Sequence, residues 1–138
     1  MARCSKTYFG DPRTKKNSQR IIRCNGFYKI KPSKAFEEYE KDCHRQITGK
    51  DKLRLTGAYN LKCVYYMQTK RKVDLVNLLE GTCDILVNAN VIEDDNSKII
   101  VSHDGSKVLY DKENPRLKLN CHLSVDNCRE RGMRYEIS

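Results

Sequence analysis

The 138-residue chain reads as an α+β protein: a single domain whose mixed β-sheet carries a β-hairpin and has two helices packed on one face. Three observations predict this class. Asn25-Gly26 stands between two short β-prone runs, two segments repeat apolar residues at helical spacing, and alternating runs fall around and between them. The order strand, hairpin, helix, strand, helix, strand, strand describes a sheet with its helices on one side.

The hairpin signal is "RIIRCNGFYKI", because a two-residue type I′ turn needs two residues at positive φ and Asn-Gly supplies them. Before it, "FGDPRTKKNSQ" has the glycine, proline and small polar residues of a loop, with three cations among them. After Pro32, Ser33 is placed to cap a helix running through "SKAFEEYEKDCHRQI", where Phe36, Tyr39, Cys43 and Ile47 keep a helical period and Gly49 ends it.

"AYNLKCVYYMQ" alternates, with Tyr59, Leu61, Cys63, Tyr65 and Met67 on one face, which predicts a strand with Tyr65 and Tyr66 on opposite sides. A second helix follows over about 75–89. On a helical wheel Leu75, Leu78, Leu79, Thr82, Cys83, Ile85 and Leu86 form the buried stripe, and Asn77, Glu80, Gly81 and Asp84 fall on the far side. "SKIIVSH" and "PRLKLNCHL" read as the last strands, with turns at Asp104-Gly105 and Asn114-Pro115.

A chain of this length buries a working core without staples. No stretch approaches 18 apolar residues and the first residues lack an apolar export signal, so the expectation is a soluble, cytoplasmic protein. Seven cysteines, an odd number with no C-x-x-C pair, predict reduced thiols and no structural zinc site.

The net charge is +9 and unevenly placed: residues 1–72 hold 19 Lys/Arg against 6 Asp/Glu, residues 73–138 hold 8 against 12. A basic half of this kind suits a polyanion such as nucleic acid, although a basic protein with no such partner carries the same totals.

The acidic residues cluster in the other half. "TKRKVDLVNLLE" sets Asp74 at the start of the second helix, behind Lys70, Arg71 and Lys72. One reading is local: Asp74 is an N-cap that accepts from open N–H groups, and the cations are solvated loop charge. "NVIEDDNSK" then places Glu93, Asp94 and Asp95 in succession, which suits either a wet turn or a divalent metal held by carboxylates and phosphate oxygens. Asp74 and Asp95 meet if the strand after the helix lies beside the strand before it and brings the two to one place. The histidines have plainer readings. His44 favours a helix C-terminus, the His103-Asp104 neighbours lack a nucleophile placed by motif, and His122 faces away from the leucines of its strand.

The segment "DLVNLLEGTCDILVNANVIEDDNSK" resembles the central motif of RusA-type Holliday junction resolvases: Asp-x-Asp-Asn, a helix, then Asp-Asp before a strand. "GDPRTKKNSQR" resembles that family's basic N-terminal loop, "KPSKAFEEYEKD" its first helix and "ENPRLKLNCHL" its last strand. The likeness places a resolvase-like domain over residues 1–123 and leaves 124–138 as a basic C-terminal tail.

The resemblance implies a homodimeric endonuclease, dependent on Mg²⁺ or Mn²⁺, that resolves four-way DNA junctions by paired nicks during recombination and repair. It implies no organic cofactor and no membrane partner, and a bacterial or phage-infected cell as the setting. By the motif, Asp74 and Asp95 are catalytic candidates and, with Asp94, metal ligands, with Asn77 and Asp84 in support; Glu80 joins the catalytic and metal candidates as a substitute ligand. Lys70, Arg71, Lys72, Arg13, Lys15 and Lys16 are the DNA-binding candidates. The chain departs from the pattern twice: Val76 stands where the family has a second aspartate, and Glu80 where a lysine is usual. Either Glu80 reaches the vacated position as a ligand, or this copy binds junctions and cuts them weakly or not at all. A ribonuclease with the same metal chemistry is a third reading.

Overall fold

The computed structural model describes residues 4–15 and 20–124, so the expectations for Lys16 and for the C-terminal tail lie outside the described residues. In chain order the elements are β1 (Cys4–Phe9), β2 (Arg20–Cys24), β3 (Phe27–Lys31), α1 (Lys34–Gln46), β4 (Tyr59–Met67), α2 (Leu75–Asn88), β5 (Ile100–Ser102), β6 (Lys107–Tyr110) and β7 (Arg116–Leu123). The main sheet runs β1-β7-β4-β5, with β6 also against β4, and β2-β3 stands apart as a two-stranded ribbon. β4 is parallel to β5 and β6 and antiparallel to β7, so the sheet is mixed, as expected.

The local chemistry explains most boundaries. Asn25 and Gly26 both adopt positive φ (51° and 83°), and β2 pairs with β3 around them. Ser33 caps α1 by accepting from the Phe36 N–H at 3.2 Å, and His44 and Arg45 occupy the last turn, where cations favour the helix dipole. Among the described residues, no helix is long and apolar enough to cross a membrane.

The core lies between one sheet face and the two helices. Leu61, Cys63, Tyr65, Leu117, Leu119 and Cys121 of the strands meet Phe36, Cys43, Leu78, Ile85 and Leu86 of the helices. The Tyr65 hydroxyl lies 2.6 Å from the Thr82 hydroxyl, which donates to the Leu78 carbonyl at 2.9 Å, so Tyr65 is the donor and ties β4 to α2. Tyr66 points the other way, with the Arg116 guanidinium 3.8 Å from its ring centroid.

Three readings of the sequence need correction. Gly81 is buried, not on the exposed side of α2, because α1 crosses there: a Cβ on Gly81 would stand 2.9 Å from Phe36 Cε1. β4 is covered on both faces over much of its length, since it is a central strand and the 102–104 turn folds over Asn60. The Asn60 amide donates to the Asp104 carbonyl and accepts from Ser102 Oγ and the Asp104 N–H at 2.6 and 2.7 Å. Finally, β6 was not foreseen, because "KVLY" is too short to show a period and both neighbours are turns.

Candidate functional site

Asp74 occupies the N-cap of α2 with extended backbone (φ −83°, ψ 122°), yet its side chain makes no capping hydrogen bond. The carboxylate instead accepts from Asn77 Nδ2 at 3.2 Å. The capping explanation for Asp74 therefore fails in its chemistry while holding in its position. The helix start keeps its positive end, and Lys70, Arg71 and Lys72 lie exposed just ahead of it. Lys70 Nζ lies 5.0 Å from the centre of the Tyr110 ring, which sets this basic loop against the end of β6.

The second acidic group follows α2. Its loop is anchored at one end to the segment before β4 and at the other to the first residue of β4: the Glu93 N–H donates to the Leu55 carbonyl, and the Tyr59 N–H to the Ile99 carbonyl, at 3.1 and 2.7 Å. Asn96 organises the turn by donating to Asp94 Oδ2 and accepting from the Lys98 N–H, both at 2.9 Å. That amide is the main reason the Asp94 carboxyl is held below its ordinary range. Asp95 is pushed the opposite way, by partial withdrawal of its carboxyl from water and then by the negative charges of Asp94 and Asp84.

Asp84 links this loop to the N-terminal segment, because Lys15 Nζ donates to its Oδ2 at 2.8 Å. That bond raises the Lys15 ammonium pKa, and the charges of Glu40 and Glu80 add to it. Buried Cys83, beside Asp84, is pushed up to about 12 by burial, then by Asp95 and Asp84. Lys15 is thus engaged inside an acidic cluster, and Arg13 lies 3.5 Å from Asp11. Val76 is 72 % exposed.

The structure brings Asp95 together with Asp94 and Asp84, Lys15 together with Asp84, and Asp74 together with Asn77. It keeps the first and last of these groups apart. β5 does lie beside β4, but parallel, pairing Ile100 with Tyr59, so the Asp95 loop arrives where β4 begins. Asp74 follows the strand's other end, after Met67. Measured by helix rise, Asp74 lies about 15 Å along the axis from Asp84. Among the described residues, no group of three or more His, Cys, Asp or Glu is poised to hold a metal ion.

The donors nevertheless fit a hard divalent cation in kind. Such ions take carboxylate oxygens, and Mg²⁺ often takes only one or two from the protein, with phosphate and water completing the shell. Asp95, crowded by two other carboxylates, is a group whose repulsion a cation would relieve. One chain holds the two halves of that donor set at opposite ends of α2.

Sequence reasoning singled out Asp84 but missed its bond to Lys15; the separation of 69 positions leaves no local signal. It passed over Arg116 for the same reason. A family model described as endodeoxyribonuclease RusA matches residues 10–121 of the chain. No curated protein matches it.

Proposed function

Because the chain belongs to the RusA endodeoxyribonuclease family, whose model covers residues 10–121, we propose that it is a structure-specific DNA endonuclease resolving four-way junctions by paired nicks. The observation that carries this reading is Asp74: its carboxylate is not used to cap α2, is steadied by Asn77, and stands behind three exposed cations. Lys70, Arg71, Lys72 and the positive end of α2 are suited to hold a backbone phosphate beside a carboxylate that would otherwise repel it. Asp74 and Asp95, supported by Asp94 and Glu80, would hold Mg²⁺ or Mn²⁺. The ion, when bound, lowers the pKa of water and screens charge developing on the phosphate.

Asp74 and Asp95 follow opposite ends of one strand, so a two-fold homodimer with antiparallel α2 helices would appose Asp74 of one copy and Asp95 of the other. Two such composite sites suit two nicks in a four-armed substrate. The test is nicking of an oligonucleotide four-way junction with Mg²⁺ or Mn²⁺. Wild type is expected to nick, while Asp74→Asn and Asp95→Asn lose activity; full activity in either variant refutes the assignment.

One observation favours a second reading. An exposed Val76 stands where the family motif has an aspartate, so the chain lacks one carboxylate at the Asp74 end. A copy that binds junctions tightly and nicks them slowly, or not at all, would follow from that loss. Junction binding without nicking at any metal concentration would establish it.

A further inference from the structure

The face of the sheet turned away from the helices carries charge that the proposed cutting site does not use. Its register stacks Thr7, Lys118, Val64 and Lys107 in one row across β1, β7, β4 and β6, and Phe9, Arg116, Tyr66 and Leu109 in the next. Lys62 stands diagonally before them, opposite Asn120. Between these rows lies a shallow open groove of about 520 Å³ whose lining includes Lys62, Lys107 and Lys118 and no carboxylate. Among the described residues, none of those three lysines makes a salt bridge.

Like charges set close together across strands disfavour the sheet, and a structural surface would interleave acids. Acids stand at its margins, where Asp111 lies 2.8 Å from Arg116 and Asp51 lies 2.6 Å from Lys6, and none lines the groove itself. The Arg116 contact, with the guanidinium over the Tyr66 ring, fixes one wall of the groove and covers the ring that a nucleobase would stack on. The chemistry therefore suits a row of backbone phosphates, not unstacked bases. The basic loop ahead of Asp74 meets the same strand on its other side, since Tyr110, beside which Lys70 lies, alternates with Lys107 and Leu109 of the groove.

We propose that this helix-free sheet face is a second DNA-binding surface, on which Lys62, Lys107 and Lys118 hold the phosphates of a duplex arm leaving the cutting site. The inference rests on the junction-nuclease reading for its ligand. It adds a contact region that lies on the opposite side of the sheet from α2. The unpaired lysines disfavour a second copy of this basic chain as the occupant.

The test is K62Q/K107Q/K118Q, in which glutamine keeps the aliphatic stems over the sheet. Affinity for a labelled four-way junction is measured by fluorescence anisotropy across a salt series. Each phosphate contact contributes about 0.9 to the slope of log affinity against log salt, so losing three is expected to lower the slope by about 2.7. The thermal midpoint is expected to stay at the wild-type value. An unchanged slope in a folded triple variant overturns the sheet-face proposal and leaves the nuclease reading standing. Wild-type protein that binds no junction overturns both. A variant that turns from dimer to monomer in sedimentation, with its salt slope intact, identifies the face as a subunit interface and overturns the proposal.

Discussion

Lys15 and Asp84 are joined by a 2.8 Å hydrogen bond that ties the N-terminal segment to α2, and Asp84 is the α2 charge felt by Asp95. The acidic centre therefore contains its own ammonium, and the loop after α2 is electrostatically coupled to the segment before the hairpin.

That coupling sets a pH dependence. Asp95 binds its proton more tightly folded than unfolded, the reverse of the usual stabilising carboxylate. Its contribution to stability is therefore most favourable below its ordinary value of 3.8 and is lost as pH rises through the raised folded value. Asp95→Asn is expected to melt higher than wild type at neutral pH, with the gap closing in acid. Melting midpoints of the two proteins across a pH series check this, and a gap that widens in acid contradicts it.

Gly81 is required by close approach and not by an unusual φ. A methyl group there gains about 1 kcal/mol of helix propensity but meets the buried Phe36 ring at 2.9 Å, and overpacking of this kind costs about 1–3 kcal/mol. Gly81→Ala is expected to be net destabilising by up to about 2 kcal/mol in denaturant unfolding. A gain in stability would show that α1 moves aside freely.

Thr82 serves both Tyr65 and the Leu78 carbonyl. Thr82→Val leaves a fully buried tyrosine hydroxyl without its acceptor, at a cost of about 1–3 kcal/mol, whereas Tyr65→Phe removes the donor and is expected to cost less. Unfolding free energies of the two variants give the order directly; the reverse order would mean that the hydroxyl finds another partner.

Val76→Asp restores the carboxylate of the family motif on an exposed first turn, where an added charge meets no packing obstacle. Junction nicking in Mn²⁺ is expected to rise roughly tenfold, about 1.4 kcal/mol of barrier. No change would indicate that Glu80 already supplies what Val76 lacks, and Glu80→Ala would then abolish nicking.

The sequence made the secondary structure legible where a periodic signal was long or a turn was chemically explicit. Asn25-Gly26, Ser33 and the leucines of α2 each fixed an element. The rest depended on facts that no window of sequence contains. Gly81 looked polar because the wheel does not know where another helix crosses. His103 sat beside Asp104 as if for chemistry, but its Nδ1 donates to the Leu61 carbonyl at 2.9 Å and pins a turn. Asp74 and Asp95 were singled out by residue type and motif, on the expectation that they would meet within one chain. Their separation followed from the parallel pairing of β4 and β5, and register direction is a property of the whole sheet.

The central claim is that the cutting site is completed by Asp74 of one copy and Asp95 of another, and mixing the two inactive variants tests it most directly. Asp74→Asn and Asp95→Asn proteins, combined in equal amounts and allowed to exchange subunits, form mixed dimers that hold one intact and one doubly altered site. Single-strand nicking of the junction is expected to return to roughly a quarter of the wild-type rate, without paired cleavage. A mixture as inactive as its two components, although subunits exchange, would contradict the account.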